Sequence, residues 1–220
     1  MLERVLEVEA MDTAEEARGY DAMDHAAVNR VFVADFLAVW SGANPILDVG
    51  AGTAQIPIVL CRQSSAASVV AIDLAEHMLA VGRENVRRAG LTDRIRFECV
   101  DAKKMPYADG AFGAVMSNSI VHHIPEPARV FAEMVRVVAA CATLFVRDLL
   151  RPKDAQTVAK LVEQYAAGAD AQQKQMFGDS LHAALTLEEV RGIVAAIGFD
   201  PASVGQTTDR HWTWTATKSR

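Results

Sequence analysis

Short apolar runs rich in β-branched residues alternate with helical segments from residue 45 to the end of the sequence. This alternation is typical of a parallel sheet with helices on both faces, because each parallel crossover needs a connection long enough for a helix. Seven segments have the composition of strands: 45–50, 68–73, 95–100, 112–118, 143–148, 202–207 and 211–217. Helices are predicted between them at about 54–62, 75–89, 127–138, 154–167 and 186–197.

The connections between the last strands constrain the sheet further. Residues 208–210 alone join the sixth and seventh strands, and they are too few for a crossover helix, so these strands must pair as an antiparallel hairpin. The preceding connection, residues 149–201, exceeds the length of one crossover and predicts an extra helical piece around 168–183. The fold class is therefore α/β: a Rossmann-like, seven-stranded, mostly parallel sheet with an antiparallel last strand.

Two helical stretches before residue 45 predict an N-terminal helical cap outside the sheet. The first, about 13–18, is expected to begin with a capping box formed by Asp12 and Glu15. The second, about 24–40, has an apolar face predicted to comprise Val28, Val31, Phe32 and Trp40.

The composition excludes several classes of partner. A net charge of -6 argues against nucleic acid, because backbone binding through counterion release requires a basic surface. Residues 1–21 carry acidic groups throughout, so neither a signal peptide nor a membrane span is predicted there. The cysteines lie in or beside apolar segments without metal-ligand spacing, and we expect buried free thiols in a cytoplasmic protein: Cys61, Cys99 and Cys141.

The turn in "ILDVGAGTAQ", residues 46–55, joins the first strand to a helix and predicts close approach of a ligand to the backbone. Gly50 and Gly52 match a dinucleotide fingerprint, but Gln55 occupies the position of its third glycine. Asp48 would repel a pyrophosphate and attract an ammonium group. These residues favour a ligand with a cationic amino-acid end over NAD.

Two more carboxylates end the next strands along the chain. Asp73 ends the second strand, where its carboxylate is positioned to accept hydrogen bonds from both hydroxyls of a ribose. Asp101 follows the third strand, where its side chain and the next backbone N–H group are positioned to read an adenine edge. Together with Asp48, they predict a site for an adenosine that carries a cationic group.

The segments "ILDVGAGTAQ", "VVAIDLAEHML" and "FECVDAKKMPYADGAFGAVMSNSIVHHI", with the terminal hairpin, resemble a class I S-adenosylmethionine-dependent methyltransferase of the small-molecule type, with a methyltransferase-11/25-like core. The resemblance covers 45–150 strongly and the remainder by topology. It implies S-adenosyl-L-methionine as cofactor and S-adenosyl-L-homocysteine as product. It also implies cofactor contacts at Tyr20, Asp48, Gly50, Ala51, Gly52, Asp73, Leu74, Met78, Asp101, Ala102, Ser117 and Asn118.

Each of these positions has a role implied by the resemblance. Asp48 would face the methionine amine, Leu74 and Met78 would flank the adenine, and the backbone near Ser117 and Asn118 would touch the methionine moiety. One departure is that Gly113 follows Phe112, where the family often has aspartate. It lies at the far end of the fourth strand from the ligand.

The histidine doublet after the fourth strand supplies the candidate catalytic residue. Histidine titrates near neutral pH, and we predict His123 as a general base; a packing or capping role for one histidine is the open alternative. Neighbouring residues of a regular segment do not point the same way, so at most one of His122 and His123 is expected to face the acceptor. No metal site is predicted, because no third ligand has supportive spacing.

A group of basic side chains is predicted at the same edge of the sheet. The seventh strand runs antiparallel, so residues 209–212 begin where the fifth strand ends with 146–152. We predict that an anionic group of the acceptor is bound there by His122, Arg147, Arg151, Arg210 and His211. The open alternative is an ion-pair network of Arg147 and Arg210 with Asp148 and Asp209 that ties the strands together.

The sequence thus predicts a single methyltransferase domain over 1–220. It is divided into a helical cap (1–44), a cofactor-binding core (45–150), a helical insertion near the substrate site (151–183) and the last helix with its hairpin (184–220). The expected partner is a small-molecule acceptor, without nucleic acid or membrane, and a homodimer is left open. The alternatives are a non-catalytic or regulatory S-adenosylmethionine-binding protein and an NAD-linked oxidoreductase.

Overall fold

Seven strands form one sheet in the computed structural model, which describes residues 2–7 and 12–219. The strands are β1 (Ile46–Val49), β2 (Val69–Asp73), β3 (Ile95–Cys99), β4 (Phe112–Asn118), β5 (Val138–Leu149), β6 (Val204–Gln206) and β7 (His211–Thr217). Their order is β3-β2-β1-β4-β5-β7-β6, and β7 alone runs opposite to the other six strands, antiparallel to both β5 and β6. The predicted fold class is confirmed.

Eight α-helices surround this sheet in the described part of the chain. They are α1 (Ala14–Asp21), α2 (Ala26–Val39), α3 (Gln55–Gln63), α4 (Glu76–Ala89), α5 (Pro127–Val137), α6 (Ala155–Tyr165), α7 (Ala171–Ala183) and α8 (Leu187–Ala196). The long connection between β5 and β6 contains α7, which confirms the extra helical piece. None of the described helices combines the length and apolar character that crossing a membrane requires.

The core lies in two apolar layers, one on each face of the sheet. On one face, Phe32 and Phe36 of α2 pack edge-on against Phe145 of β5. On the other face, Trp212 and Trp214 occupy alternate positions of β7 and lie beneath helix α5, in the same cluster as α8. The two indoles are fully buried, as the period of two along a strand requires when one face is covered.

The strand register aligns the candidate ligand-binding ends. Val49 of β1 pairs with Ile72 of β2 and with Ser117 of β4, and all three strands are parallel. The chain leaves β1 toward β2 on one side and later returns to β4 on its other side. A crevice opens at such a topological switch point, because the connections diverge there.

Two expectations for the N-terminal helices are wrong. Thr13, not Asp12, caps α1, and its side chain forms the capping box with Glu16, one residue later than predicted. Asp12 instead pairs with His77. Val31 is 55% exposed, because the buried face of α2 differs from the predicted one. It consists of Asn29, Phe32, Val33 and Phe36.

The expectation of three buried thiols is wrong for two of them. All three cysteines are free, but only Cys61 is buried. Cys99 ends β3, which is an edge strand, and Cys141 lies in β5 with a positive φ of 62°, where that strand departs from regular pairing with β4. Neighbouring apolar residues in the sequence therefore did not predict thiol burial.

Gly113 has a packing explanation. A Cβ atom at this position would overlap the backbone of Ala43 and Asn44, which crosses directly over the start of β4. The Gly113 N–H group also donates to the Pro45 carbonyl at 2.9 Å. The segment before β1 thus leaves no room for the aspartate that often stands there in the resembling family.

Candidate active site

Two adjoining cavities open at the carboxyl ends of the central strands. The first is lined by the predicted residues Asp73, Leu74, Met78, Asp101, Ala102 and His123, and the second by Asp48 and Ala51. Both are lined by Tyr20, Gly50, Gly52 and Asn118. The shared walls make one elongated cleft, which spans the ends of β1 to β4 and is bordered by α1.

The turn after β1 supplies a bare wall of backbone to this cleft. Gly50 has a φ of +76°, and the N–H groups of Gly50 and Ala51 both donate to the carbonyl of Ile72 at 2.9 Å. A Cβ atom on Gly50 would overlap the side chain of Ile120, which follows β4. Glycine is therefore required here both by the left-handed conformation and by the close approach of Ile120.

Asp73 fixes this turn against the start of α4. Its two carboxylate oxygens accept hydrogen bonds from the N–H groups of Gly52 and Ala75, each at 2.9 Å. Burial raises the pKa of the Asp73 carboxyl, and the N–H bonds counteract only part of that effect. Each oxygen retains a further lone pair, so the carboxylate stays able to accept hydrogen bonds from a ligand in the first cavity.

Asp48 is the most strongly perturbed carboxyl group of the cleft. It is 2% exposed, and burial together with the negative charge of Asp73 raises its pKa to about 8. The backbone of Asp48 pairs within the sheet, but its carboxyl group, which lines the second cavity, has no hydrogen-bond or ion-pair partner among the described residues. A buried carboxylate without a partner favours a cationic ligand group and opposes a pyrophosphate.

Gln55, which replaces the third glycine of a dinucleotide fingerprint, joins the N-terminal helices to the glycine turn. Its Oε1 accepts a hydrogen bond from Asn29 Nδ2 at 3.2 Å, and its Nε2 donates to the backbone carbonyl and the carboxylate of Asp21 at 3.2 Å. These contacts hold α1 and α2 over the second cavity. Tyr20, on α1, consequently lines both cavities.

Apolar side chains form a slot in the first cavity. Leu74 and Met78 contribute to it together with Ile72, Val100 and Ala102, beside Asp101. The Asp101 carboxylate accepts a hydrogen bond from the backbone N–H of Lys103 at 2.8 Å, which fixes the loop after β3. A flat apolar ring with a polar edge suits such a slot.

Of the two residues predicted at the end of β4, one lines the cleft. Asn118 lines both cavities, but Ser117 is buried, and its hydroxyl donates to the carbonyl of Val49 at 2.8 Å. Ser117 therefore lies off the cleft and links β4 to β1. Ser119, with a φ of 57°, and Ile120 line the first cavity instead. No residue-type pattern in this stretch distinguishes them in advance.

Of the histidine doublet, His123 alone lines either of the two cavities, although the two rings lie close together. A 3-10 turn at Val121–His123 places the rings of His122 and His123 with centroids 4.0 Å apart. His122 is buried, and its Nδ1 lies 2.5 Å from Oδ1 of Asp148. His123 lines the first cavity, and burial followed by the neighbouring His122 lowers its pKa to about 3. It is therefore unprotonated at neutral pH.

Glu7 is a neighbour of this doublet that the sequence did not indicate. Its Oε2 lies 3.8 Å from Nδ1 of His123. The segment 2–7 is held there by Arg4, whose guanidinium donates to the carbonyls of His122, Ile124 and Ala183. This long-range docking has no local sequence signal.

The basic side chains predicted to bind the acceptor line neither cavity. Arg147 donates to Asp35 at 2.7 Å and to Thr213 at 2.8 Å, and Arg151 donates to Glu189 at 2.7 Å. The alternative prediction, an ion-pair network between β5 and β7, is not formed at Arg147, because Arg147 pairs with Asp35 while Asp148 pairs with His122.

The two predicted acceptor-binding residues that begin β7 have other contacts. Arg210 lies over the ring of Tyr165 and 3.8 Å from Asp209, so this one pair of the alternative network is present. His211 Nδ1 lies 2.9 Å from the hydroxyl of Thr208, and burial, with the nearby Arg210 charge, lowers the pKa of His211 to about 4.

The residues of the cleft fit S-adenosylmethionine. The unpaired buried Asp48 suits an ammonium group, Asp73 suits ribose hydroxyls, and Leu74 with Met78 suits an adenine ring. The backbone at Gly52, where an added Cβ atom would contact only Tyr20 at 3.9 Å, leaves space for close approach of a ligand.

Comparison with known proteins agrees with this fit. A family described as "Methyltransferase domain" matches residues 47–146. Malonyl-[acyl-carrier protein] O-methyltransferase of Geobacter sulfurreducens is 32% identical over 192 residues, which are 86% of this chain and 68% of that protein. The 27-O-demethylrifamycin SV methyltransferase of Amycolatopsis mediterranei is 27% identical over 172 residues, covering 76% of this chain and 59% of that protein.

The comparison with solved structures shows that this fold also occurs in a known methyltransferase. The crystal structure of a SAM-dependent methyltransferase from Aquifex aeolicus superimposes with a TM-score of 0.66 at 18% identity, covering 93% of this chain and 97% of that one. Several curated relatives align over only 39% to 59% of their own length, so the chain spans about half of those proteins. The chain belongs to the S-adenosylmethionine-dependent methyltransferases.

Proposed function

We propose that the protein methylates a small-molecule acceptor with S-adenosyl-L-methionine and releases S-adenosyl-L-homocysteine. The observation that carries the proposal is the unpaired, buried carboxyl of Asp48 beside a cleft that Asp73 and an apolar slot continue. A small-molecule acceptor is supported by the rifamycin relative, whose name states a small-molecule substrate.

The chain would hold the cofactor along the ends of its first three strands. Asp48 would pair with the methionine ammonium, Asp73 would accept from the ribose hydroxyls, and Asp101 with the Ala102 N–H would read the adenine edge. S-adenosylmethionine supplies an electrophilic methyl group on a sulfonium. The protein supplies position and alignment, which are the main requirements of an in-line displacement.

The acceptor would bind at the part of the first cavity formed after β4. Ile120, His123 and Ile124 line this part, so the wall is mainly apolar with one imidazole. We propose His123 as the residue that takes the acceptor proton. A group with a pKa of about 3 is a weak proton acceptor, so bound acceptor must raise that pKa or be readily deprotonated.

An anionic group on the acceptor remains part of the proposal. It would have to exchange with carboxylates that already neutralise the arginines, since Arg147 is paired with Asp35 and Arg151 with Glu189. Arg210 is the most available of the predicted set, because its Asp209 contact is 3.8 Å long. A neutral acceptor would need no such exchange.

Calorimetric titration separates the proposal from its alternatives. S-adenosylhomocysteine should bind with micromolar or better affinity, whereas NAD should not bind; the reverse result would indicate an oxidoreductase. Small phenols and carboxylates are then incubated with S-adenosylmethionine and analysed by mass spectrometry. Binding without S-adenosylhomocysteine formation across the panel would favour a non-catalytic, regulatory role.

The proposal also includes the setting in which the protein works. Three free cysteines suit the reducing cytoplasm, and the net charge of -6 suits a protein without a nucleic-acid partner. A homodimer is included because Val31 and Val39 of α2 are exposed. Light scattering coupled to size-exclusion chromatography tests it, with one chain contributing 23.8 kDa.

A further inference from the structure

Three potential metal ligands meet beside the cleft. Glu7, His122 and His123 each present one ligand atom, and these atoms lie within 4.8 Å of one another. The side chains are 21%, 4% and 18% exposed, so the cluster is largely shielded from water. This burial distinguishes the cluster from the groups of exposed acidic residues that are common on protein surfaces and bind no metal.

Two polar atoms of this cluster lack a hydrogen-bond partner among the described residues. They are Oε1 of Glu7 and Nδ1 of His123, both buried. The other carboxylate oxygen of Glu7 is 3.8 Å from the same Nδ1, which is too long for a hydrogen bond. Leaving such atoms unpaired costs about 1 to 3 kcal/mol each. Both atoms are therefore available to bond to a ligand, while Ser180 already bonds to the Glu7 carboxylate.

The third ligand is already oriented by a carboxylate. His122 Nδ1 is 2.5 Å from Asp148 Oδ1, and Asp148 is held in turn by the N–H groups of Val121 and Leu149. With Nδ1 engaged as donor, Nε2 is the nitrogen with a free lone pair. A carboxylate behind a histidine is the arrangement that fixes metal-ligating imidazoles.

We propose that Glu7, His122 and His123 bind a divalent first-row transition-metal ion, such as Zn²⁺ or Co²⁺. Two imidazoles and one carboxylate favour these ions over Mg²⁺ and Ca²⁺, which prefer oxygen ligands. Bonds of about 2.0–2.2 Å place tetrahedral ligands roughly 3.4 Å apart. The present spread of up to 4.8 Å closes to that distance when each side chain moves by about 1 Å.

The ion would lie at the part of the cleft wall that His123 forms. Three protein ligands leave a fourth position for water or for an oxygen of a bound molecule. If the proposed function holds, that oxygen belongs to the acceptor, and the ion would lower its pKa. His123 would then act as a metal ligand, and its role as general base would apply only to the metal-free protein. Metal binding itself does not depend on the proposed function.

The test uses the full chain without a histidine tag, stripped with a chelator and titrated with Co²⁺ under visible absorption. The wild type should bind one ion, whereas Glu7→Gln and His123→Asn should weaken binding at least tenfold. His77→Asn is the matched control, because His77 also lies beside a carboxylate, Asp12 at 3.1 Å, but is exposed. It should bind like the wild type.

X-ray absorption of the Co²⁺-loaded wild type provides a measurement that does not depend on variant folding. Two coordinating imidazoles are expected; none or one overturns the proposal, as does a wild type that fails to bind stoichiometric Co²⁺ or Zn²⁺. Unchanged affinity in Glu7→Gln or His123→Asn also overturns it. S-adenosylhomocysteine is titrated into the same samples. Its binding without metal binding refutes only the metal site, and the opposite result refutes only the proposed function.

Discussion

Replacing Asp48 with asparagine should stabilise the unliganded protein at neutral and alkaline pH while weakening the cofactor site. Asparagine has nearly the same shape but no charge. In the folded protein, burial and the charge of Asp73 raise the pKa of Asp48 from 3.8 to about 8. Between those values the folded protein retains a proton that the unfolded chain has released. The free energy of unfolding therefore falls as the pH rises from about 4 to about 8.

The size of this effect follows from the two pKa values. Each unit of difference corresponds to about 1.4 kcal/mol, so a separation of roughly four units costs at most about 6 kcal/mol above pH 8. Between pH 5 and pH 8 the cost grows by about 4 kcal/mol. Total stabilities of about 5–15 kcal/mol make this a large share. Asp48→Asn removes the titration, so its advantage over the wild type should widen across that range.

Urea denaturation of both proteins at intervals from pH 5 to pH 9 measures the difference. Asp101→Asn is the control: partial burial of Asp101 is outweighed by the hydrogen bonds and charge of Lys103, which lower its pKa, so that variant should differ from the wild type by a constant amount above pH 5. S-adenosylhomocysteine should bind Asp48→Asn about 10- to 100-fold more weakly, as loss of a charge-assisted bond implies. Stability curves that stay parallel from pH 5 to pH 8 would refute a buried, high-pKa Asp48.

Four further changes test other parts of the site. Asp73→Ala should weaken S-adenosylhomocysteine binding at least tenfold, about 1.4 kcal/mol, in calorimetry, and unchanged affinity would contradict its role. Gly50→Ala should lower the melting temperature and abolish S-adenosylhomocysteine binding, since the φ of +76° at Gly50 and the overlap with Ile120 oppose a side chain there. A melting curve like that of the wild type would contradict this requirement for glycine. His123→Ala should keep S-adenosylhomocysteine affinity within twofold while methyl transfer falls in a mass-spectrometric assay, and equal turnover would remove it from catalysis. Burial lowers the pKa of His211 to about 4, so at pH 5 the unfolded chain binds a proton that the folded protein does not. His211→Gln removes this penalty and should make the protein about 2 kcal/mol more stable than wild type at pH 5, which urea denaturation at pH 5 and pH 8 checks.

The part of the cleft that is proposed to bind the methyl donor was predictable from the sequence, because short local patterns indicate it. The alternation of apolar runs predicted all seven strands, and the length of residues 208–210 predicted the antiparallel hairpin. Asp48 and Asp73 lie near the carboxyl ends of consecutive strands, and parallel pairing brings such ends to one edge of the sheet. Ser117 was the exception, because the alternation of β4 directs its side chain toward Val49.

The acceptor side was not predictable in the same way. Glu7 lies near the histidines in a segment that Arg4 anchors to three carbonyls, two from residues 122–124 and one from Ala183. The sequence indicated Asp148 and Asp209 as partners for Arg147, but it pairs with Asp35, which depends on where α2 packs. Long side chains choose among such partners through tertiary geometry, which neither residue type nor spacing specifies.

The division of the cleft between chain segments has a consequence for redesign of this protein. Apart from Tyr20, the residues proposed to bind the methyl donor lie within the continuous stretch 48–118, whereas the proposed acceptor wall comes from 120–124, with Glu7 beside it. A chimera that takes residues 120–124 from a relative keeps the whole stretch 48–118. Under the proposed assignment, such an exchange should alter acceptor choice while the protein retains its affinity for the donor.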